Sequence, residues 1–210
     1  MEKALLKLND YQIRELDSGT ISLRELARFI VIENYKHHQT GLGSDDFEKE
    51  ITALYCEEEI YAAHSRYYMV YGDDNQIIAA IRLLLWDFNL ELPMQKIFGI
   101  NPKTLLESSN GQGVIWHIGR FVVSSSKNLS SLSLFKQLTI YALRPIYENE
   151  SDIIIAECDK KLVRVLSALG MQFDILGESR YYLGSETIPV SLKKGGIVDF
   201  YEKYRGLVGV

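Results

Sequence analysis

The sequence predicts an α/β (α+β) fold in which a mixed central sheet is covered by helices on both faces. Three features lead to this class. Two runs of strand formers flank a turn in the middle of the chain, a third apolar strand follows them, and strands and helices alternate from there. A hairpin makes an antiparallel pair, whereas a strand, a helix and a second strand make a parallel pair with a right-handed crossover. The sheet is therefore expected to contain both kinds of pairing.

The composition favours one acidic domain. The chain has 210 residues, so we expect a single domain over residues 1–210. A net charge of -5 argues against a nucleic-acid-binding protein. Cys56 and Cys158 lack the spacing of a zinc site, so no metal is expected, and two isolated cysteines suit a reducing cytoplasm. No run approaches the roughly 20 apolar residues of a membrane span, and no signal peptide is recognised, so the predicted location is the cytoplasm.

The first third of the chain predicts one strand and two helices. Residues 11–16 alternate weakly, as a strand does. Ser22 and Glu25 have the spacing of a capping box at the start of a helix. Residues 37–43 are expected to form a loop, and a second helix is expected to begin at residues 45–46 with one apolar face.

The hairpin comes next. Strands over residues 67–71 and 76–86 flank the turn residues 72–75. The second strand is apolar on both faces, as a central strand is, except at Arg82, which needs a carboxylate or a ligand as its partner. Prolines within residues 88–113 exclude a long regular element there.

The second half of the chain alternates strands with helices. The strand Val114–Val123 is almost entirely apolar but contains His117 and Arg120. A helix from about Ser130 to Arg144 is expected to end at Pro145. The remaining expected elements are a strand at residues 152–158, a helix that Asp159 caps and Gly170 ends, and strands at residues 181–183 and 187–192.

Four short stretches carry a recognisable pattern. Residues 116–123, Trp-His-Ile-Gly-Arg-Phe-Val-Val, are similar to the motif W-E-x-S-R-F-x-V. Residues 78–84 are similar to I-x-G-x-x-R-L-L, residues 45–48 to D-x-[FY]-D, and residues 176–192 to a C-terminal strand pair. Together, over about residues 23–192, they resemble the branch of the GNAT acyltransferase superfamily that contains acyl-homoserine-lactone (autoinducer) synthases and N-acyl amino acid synthases.

The resemblance implies a GNAT-like fold and an N-acyltransferase that moves a fatty-acyl group from a thioester donor to an amine acceptor. The implied donor is an acyl carrier protein or acyl-CoA, and the implied acceptor is an amino acid or S-adenosylmethionine. No cofactor is expected beyond this thioester co-substrate. The alternatives are an acetyl-CoA- or acyl-CoA-dependent GNAT N-acetyltransferase and a degenerate, non-catalytic member that binds an acyl chain or a carrier protein.

The resemblance also suggests functions for single residues. His117, or a water molecule, would act as the base, and backbone N–H groups of the strand would hold the oxyanion. Arg120 is the second residue assigned to catalysis. Arg82 and Arg120 would pair with Asp45 and Glu48 on the acceptor side. A buried structural network is the alternative reading of these charged residues.

Two positions depart from the family pattern. Glu48 stands where the motif has its second Asp, which keeps the charge, and His117 stands where the strand motif has Glu. An imidazole, with an ordinary pKa of about 6.5, accepts a proton from an amine. It does not complement a cationic acceptor as a carboxylate does. The change weakens the expectation of S-adenosylmethionine and leaves amino acids or other amines open.

The geometry of the motif strand sets a further condition. His117 and Arg120 are three residues apart, so a regular strand points them to opposite faces. Both reach one site only if a bulge intervenes, and Gly119 is the expected place. The aromatic residues of the same strand, Trp116 and Phe121, would line the acyl channel.

The turn after this strand lacks the glycines found in acetyl-CoA enzymes of the fold. It begins with Ser124, Ser125, Ser126 and Lys127, and side chains there hinder a close approach of the backbone to a pyrophosphate. A carrier-protein donor is therefore favoured, although serines also surround phosphate. The basic residues expected to dock an acidic carrier protein, unless they are ordinary solvated surface, are Lys127, Lys136, Arg144, Lys160, Lys161 and Arg164.

Overall fold

A computed structural model of the chain describes residues 3–8, 11–16, 19, 22–38, 44–107, 112–125, 131–182 and 185–208. These residues form nine strands and seven helices. The strands are β1 Lys3–Leu8, β2 Tyr11–Leu16, β3 Ser65–Gly72, β4 Ile77–Leu85, β5 Ile115–Val123, β6 Ile153–Asp159, β7 Asp174–Ile175, β8 Arg180–Tyr182 and β9 Ser185–Leu192. The helices are α1 Leu23–His38, α2 Ser44–Tyr61, α3 Pro93–Phe98, α4 Lys103–Glu107, α5 Ser131–Glu148, α6 Lys160–Ala168 and α7 Lys194–Tyr204. Among these helices, none has the length and apolar character of a membrane span.

The strands form a mixed sheet with the order β1-β2-β3-β4-β5-β6-β9-β7, and β8 pairs with β9. β5 and β6 are parallel, in a register that runs from Ile115 opposite Ile153 to Ile118 opposite Ala156. The pairs β1–β2, β2–β3, β6–β9, β7–β9 and β8–β9 are antiparallel. The predicted combination of parallel and antiparallel pairing is confirmed.

The chain divides into two compact units. The first contains the described part of residues 1–83 together with 120–138, and the second contains that of residues 84–119 and 139–210. In the first unit, Leu26 and Ile30 of α1 pack with Tyr67 and Met69 of β3. This packing gives the apolar face of α1 its place on the sheet.

The second unit has its own core between β6 and β9. Ala156 and Cys158 of β6 pack with Ile188 and Val190 of β9, which lie opposite them across the antiparallel pair. α6 follows β6 directly, and the carboxylate of Asp159 caps it by accepting hydrogen bonds from the N–H groups of Lys161 and Leu162, as the sequence predicts. These contacts fix β6, which carries one residue of the candidate site.

Several elements differ from the sequence-based expectation. His37 and His38 belong to the end of α1 rather than to a loop. α5 continues three residues past Pro145 to Glu148. Pro145 removes one N–H donor from the helix, but its carbonyl accepts a hydrogen bond from Asn149 at 2.8 Å, which closes the last turn. The predictions did not include β1, β7 or the short helices α3 and α4, which lack a long periodic pattern.

Candidate active site

Glu58 is a buried carboxylate at the centre of a charged cluster in the first unit. It follows Ile51 and Leu54 of α2 by seven and four residues, so it occupies a position in the apolar stripe of that helix. Its side chain is 0% exposed, and the side chain of Arg82 on β4 is 1% exposed. Arg82 donates from Nη1 to Oε1 of Glu58 at 2.6 Å, and the Tyr67 hydroxyl donates to Oε2 at 2.9 Å.

Arg120 of β5 completes this cluster. Its Nε donates to Oε1 of Glu58 at 2.6 Å, and its Nη2 donates to the carboxylate of Glu57. The Arg120 side chain is 12% exposed, so this is the more accessible of the two arginines. The two positive charges of Arg82 and Arg120 equal the two negative charges of Glu57 and Glu58, so the cluster has no net formal charge. Buried ions are tolerated when they are paired in this way.

The electrostatics of the cluster keep its groups charged. Burial alone raises the pKa of Glu58, but the charges of Arg82 and Arg120 and the hydrogen bonds from Arg120 and Tyr67 outweigh it, so this pKa lies below its ordinary value. Burial lowers the pKa of Arg120, but the charges of Glu58 and Glu57 raise it to a net value above the ordinary one. An ionised carboxylate held by two permanent cations is a poor proton acceptor at neutral pH. The cluster therefore supplies charge and rigidity rather than a base.

The predicted pairing of the arginines with Glu48 is wrong. Glu48 is 52% exposed and accepts hydrogen bonds from Arg24 at 3.4 Å and Arg28 at 3.2 Å. It lies ten residues before Glu58 on α2, which corresponds to about 15 Å along a helix. The backbone of Asp45 belongs to the same helix, but its side chain is outside the described residues.

The motif strand β5 is irregular close to the predicted place. The expected bulge residue was Gly119, whereas the backbone conformation typical of such an irregularity occurs at Arg120, with φ 56. A residue with a Cβ in this left-handed region costs about 1–2 kcal/mol, so the surroundings of Arg120 must hold it. The pairing of β5 with β6 ends at Ile118, two residues earlier.

His117 and Glu157 form a buried pair in the second unit. His117 lies opposite Ile155 in the parallel register, and Glu157 follows Ile155 by two residues, on the same face of β6. Nε2 of His117 lies 2.8 Å from Oε2 of Glu157, with side-chain exposures of 1% and 9%. The contact holds the imidazole in one orientation beside a carboxylate, an arrangement in which a histidine can exchange a proton with a bound group.

Sequence reasoning missed the three carboxylates of these clusters, Glu57, Glu58 and Glu157. Glu58 has a visible signal, since an acidic residue stands in the apolar stripe of an otherwise amphipathic helix. Glu157 has a similar signal, because it is the one acidic residue inside the run from Ile153 to Cys158. In both positions an ionisable residue stands where the pattern has apolar residues. A buried ionisable side chain requires a partner.

The aromatic residues of β5 have specific neighbours. The indole N–H of Trp116 donates to Oδ2 of Asp152 at 3.0 Å, and Oδ1 of the same carboxylate accepts from the N–H of Val114 at 3.1 Å. Phe121 makes an edge-to-face contact with Phe135, with ring centroids 4.9 Å apart. Their assignment to an acyl channel stays a prediction.

A carboxylate occupies the start of the turn after β5. The backbone N–H and the hydroxyl of Ser125 donate to Oε2 of Glu33 at 2.7 and 2.9 Å, and Glu33 is also 2.7 Å from Nζ of Lys36. Burial raises the pKa of Glu33, but the bonds from Lys36 and Ser125 lower it to a net value below the ordinary one. The N–H of Ser124 donates to the carbonyl of Ile78 at 2.8 Å. Ser126 and Lys127 are outside the described residues.

The residues predicted to dock a carrier protein fall into three groups. Arg144 is 2.6 Å from Glu148, and Lys160 is 2.7 Å from Glu186, so these two cations have acidic neighbours on the surface. The second group is Lys136, Lys161 and Arg164, and the last two of these are exposed. The third is Lys127, which is outside the described residues.

Comparison with known proteins points to one family. The family model described as N-acyl amino acid synthase FeeM matches residues 51–194, which is more than half of the chain. The match includes α2 beyond its first turns, the motif strand β5 and the strand β6. No curated protein sequence matches this one.

Solved structures share the fold. The N-acyl amino acid synthase FeeM from uncultured soil microbes is 18% identical, with 89% of this chain and 92% of that chain covered and a TM-score of 0.56. FdhC, a nucleotide-linked sugar GNAT, is 17% identical, with coverages of 97% and 98% and a TM-score of 0.53. BjaI, a CoA-dependent acyl-homoserine lactone synthase solved with SAM and isopentyl-CoA, is 13% identical, with coverages of 91% and 88% and a TM-score of 0.56. The predicted GNAT-like class and the predicted branch of it are confirmed.

Proposed function

Because the chain belongs to the FeeM family of N-acyl amino acid synthases and is therefore an N-acyltransferase, we propose that it transfers a fatty-acyl group from an acyl carrier protein to the amine of an amino acid. The observation that carries the proposal is the buried pair of His117 on the motif strand β5 and Glu157 on the neighbouring strand β6. A buried imidazole with a fixed carboxylate partner, at the position where the family motif has Glu, is suited to remove a proton from an attacking amine.

The reaction balances without any further reactant. His117 takes a proton from the ammonium of the acceptor, and the neutral amine then attacks the thioester carbonyl. A C–N bond forms and the C–S bond breaks, the leaving thiolate takes the proton that His117 holds, and the last excess proton goes to solvent. Backbone N–H groups of β5 near its irregularity would stabilise the oxyanion that forms on the carbonyl.

The preference for a carrier-protein donor is supported by Glu33. A pyrophosphate binds to the backbone N–H groups of a glycine-rich turn. In this chain a buried, ionised carboxylate already accepts the N–H of Ser125. A second anion at this place would be repelled. A phosphopantetheine arm on a carrier protein has no pyrophosphate and avoids this repulsion.

The preference for an amino acid over S-adenosylmethionine is supported by His117 and by the family. S-adenosylmethionine carries a sulfonium in addition to its ammonium, and the motif position that has a carboxylate in the autoinducer synthases is here an imidazole. The matched family model is that of an N-acyl amino acid synthase. An imidazole at this motif position complements a sulfonium less well than a carboxylate does.

The arginine cluster would act by charge and position. Arg120, the more accessible of the two arginines, and Arg82 remain assigned to the acceptor side as a proposal, now with Glu57 and Glu58 as their partners. With its pKa values displaced away from neutrality, the cluster keeps a constant charge during turnover.

The experiment is a matrix of two donors and two acceptors. Purified protein is mixed with long-chain acyl carrier protein or with the matching acyl-CoA, and with an amino acid mixture or S-adenosylmethionine, and the release of free thiol is followed. We expect acceptor-dependent release from the acyl carrier protein with amino acids. Release only from acyl-CoA would contradict the proposed donor, and release only with S-adenosylmethionine would contradict the proposed acceptor. Binding of donor without any release would contradict the function itself.

A further inference from the structure

We propose that Glu157 binds the positively charged amine of the acceptor, an inference that rests on the proposed function. One carboxylate oxygen, Oε2, holds Nε2 of His117 at 2.8 Å. The other oxygen, Oε1, would receive a hydrogen bond from the ammonium. The negative charge that the family motif has on β5 would in this chain come from the neighbouring strand β6.

The first observation behind this assignment is the state of Oε1. This atom is buried and has no hydrogen-bond partner among the described residues, and the Glu157 side chain as a whole is 9% exposed. Buried polar atoms in native proteins nearly always have a partner, and a carboxylate oxygen without one is costly. An ammonium, with three N–H donors, would satisfy it.

The second observation is the place of Glu157 in the sheet. The pairing of β5 with β6 ends where Ile118 lies opposite Ala156, and Glu157 is the next residue of β6. On the other edge of β6, Glu157 remains opposite Pro189 of β9. The carboxylate is therefore carried by a strand that is fixed on one side, at the point where its parallel partner leaves it.

The third step is the division of charge between the two residues. A neutral imidazole accepts a proton but does not attract a cation. A carboxylate attracts a cation strongly but is a weak proton acceptor at neutral pH. With Glu157 holding the ammonium and His117 taking its proton, each group has the chemistry it suits.

The test compares charged and uncharged acceptors on the variant Glu157→Gln. Gln keeps a hydrogen-bond acceptor for His117 but removes the negative charge. We expect the KM for an amino acid acceptor to rise by about tenfold or more, since a charge-assisted hydrogen bond is lost, while the KM for the acyl carrier protein stays within about twofold. Transfer to hydroxylamine, which is uncharged at neutral pH, should be retained. The matched control is Glu150→Gln, an exposed glutamate in the turn before β6, which should leave all three measurements unchanged.

A second variant guards against a folding defect. The double change His117→Glu with Glu157→Gln returns the carboxylate to the position it has in the family motif and keeps one charge in the pair. This protein should recover the KM for the amino acid relative to Glu157→Gln alone. An equal loss with amino acids and hydroxylamine in Glu157→Gln, or an unchanged KM for amino acids, would overturn the inference while leaving the proposed function intact. A wild-type protein that acylates no amine would instead overturn the proposed function.

Discussion

Nη1 of Arg82 lies 2.6 Å from Oε1 of Glu58, and both side chains are almost fully excluded from solvent. The same oxygen accepts a hydrogen bond from Arg120, so one buried carboxylate joins α2, β4 and β5 within the first unit. Such a junction stabilises the fold only while every member is present, because a single removal leaves an uncompensated buried charge.

The variant Glu58→Gln should therefore lower the free energy of unfolding by about 3–5 kcal/mol, the usual cost of breaking a buried ion pair. Urea denaturation of both proteins measures the change. Glu59→Gln is the matched control, since Glu59 is exposed on the same helix and its hydrogen bond from Tyr55 is retained by an amide; its effect should stay within about 0.5 kcal/mol. Equal stabilities of the Glu58 and Glu59 variants would contradict this account.

The same cluster predicts a specific acid sensitivity. The pKa of Glu58 in the folded protein lies below its ordinary value of 4.5, mainly because the charges of Arg82 and Arg120 outweigh the effect of burial. The stabilisation is fully present above about pH 4.5 and is lost as the pH falls through the lower, folded-state pKa. The difference in unfolding free energy between wild type and Glu58→Gln should accordingly be constant from pH 7 to 5 and shrink at lower pH. A difference that grows on acidification would show that the sign is wrong.

Glu33 should control the choice of donor. Glu33→Gln keeps an acceptor for Ser125 but removes the negative charge, and Lys36 is then left to attract phosphate. We expect the KM for acyl-CoA to fall by roughly tenfold, which corresponds to removing one unfavourable charge contact, with little change for the acyl carrier protein. Steady-state kinetics with both donors measure this, and Glu25→Gln, exposed on the same helix, is the control. An unchanged ratio of the two KM values would remove the support that Glu33 gives to a carrier-protein donor.

His117 should be needed for turnover more than for folding. His117→Gln keeps an N–H group that can donate to Glu157 but has no basic nitrogen, so kcat should fall by about 10²–10⁴. Thermal unfolding should change little relative to that of wild type, which separates this variant from Arg120→Ala, where loss of the buried ion pairs also destabilises the fold. Retained kcat in a folded His117→Gln protein would exclude His117 as the base.

The two cysteines should differ in reactivity. Burial, followed by the charges of Glu157 and Asp159, raises the pKa of the Cys158 thiol to about 12, whereas Cys56 is exposed. Because the thiolate is the reactive form, iodoacetamide at pH 8 should modify one cysteine in the folded protein and two after unfolding in urea. Mass spectrometry of tryptic peptides identifies the sites. Rapid modification of Cys158 in the folded state would contradict the burial of β6.

Local pattern was sufficient to predict most of the sheet. The hairpin of β3 and β4, the motif strand and the cap of α6 by Asp159 all depend on residues close in sequence. Pro145 was misread because a proline near a helix end removes only one hydrogen bond, and the carbonyl of the same residue closes the final turn with Asn149.

The partners in the site could not be predicted in the same way. Glu58 is 62 residues from Arg120, and Glu157 is 40 residues from His117, so each contact depends on the register of the sheet. The motif comparison directed attention to Glu48, which is on the same helix as Glu58 but on its exposed surface. The sequence does show that these charged residues stand within apolar stripes. This position indicates that each has a buried partner, because a buried ion requires one even when it is distant in sequence.

The most direct measurement of the central claim is the mass of the product that wild-type protein makes from a long-chain acyl carrier protein and a mixture of amino acids. The account predicts a species whose mass is that of one amino acid plus the free fatty acid, less one water, and an equal amount of carrier protein with a free thiol. Intact acyl carrier protein after prolonged incubation, or free fatty acid as the sole product, would contradict transfer to an amine.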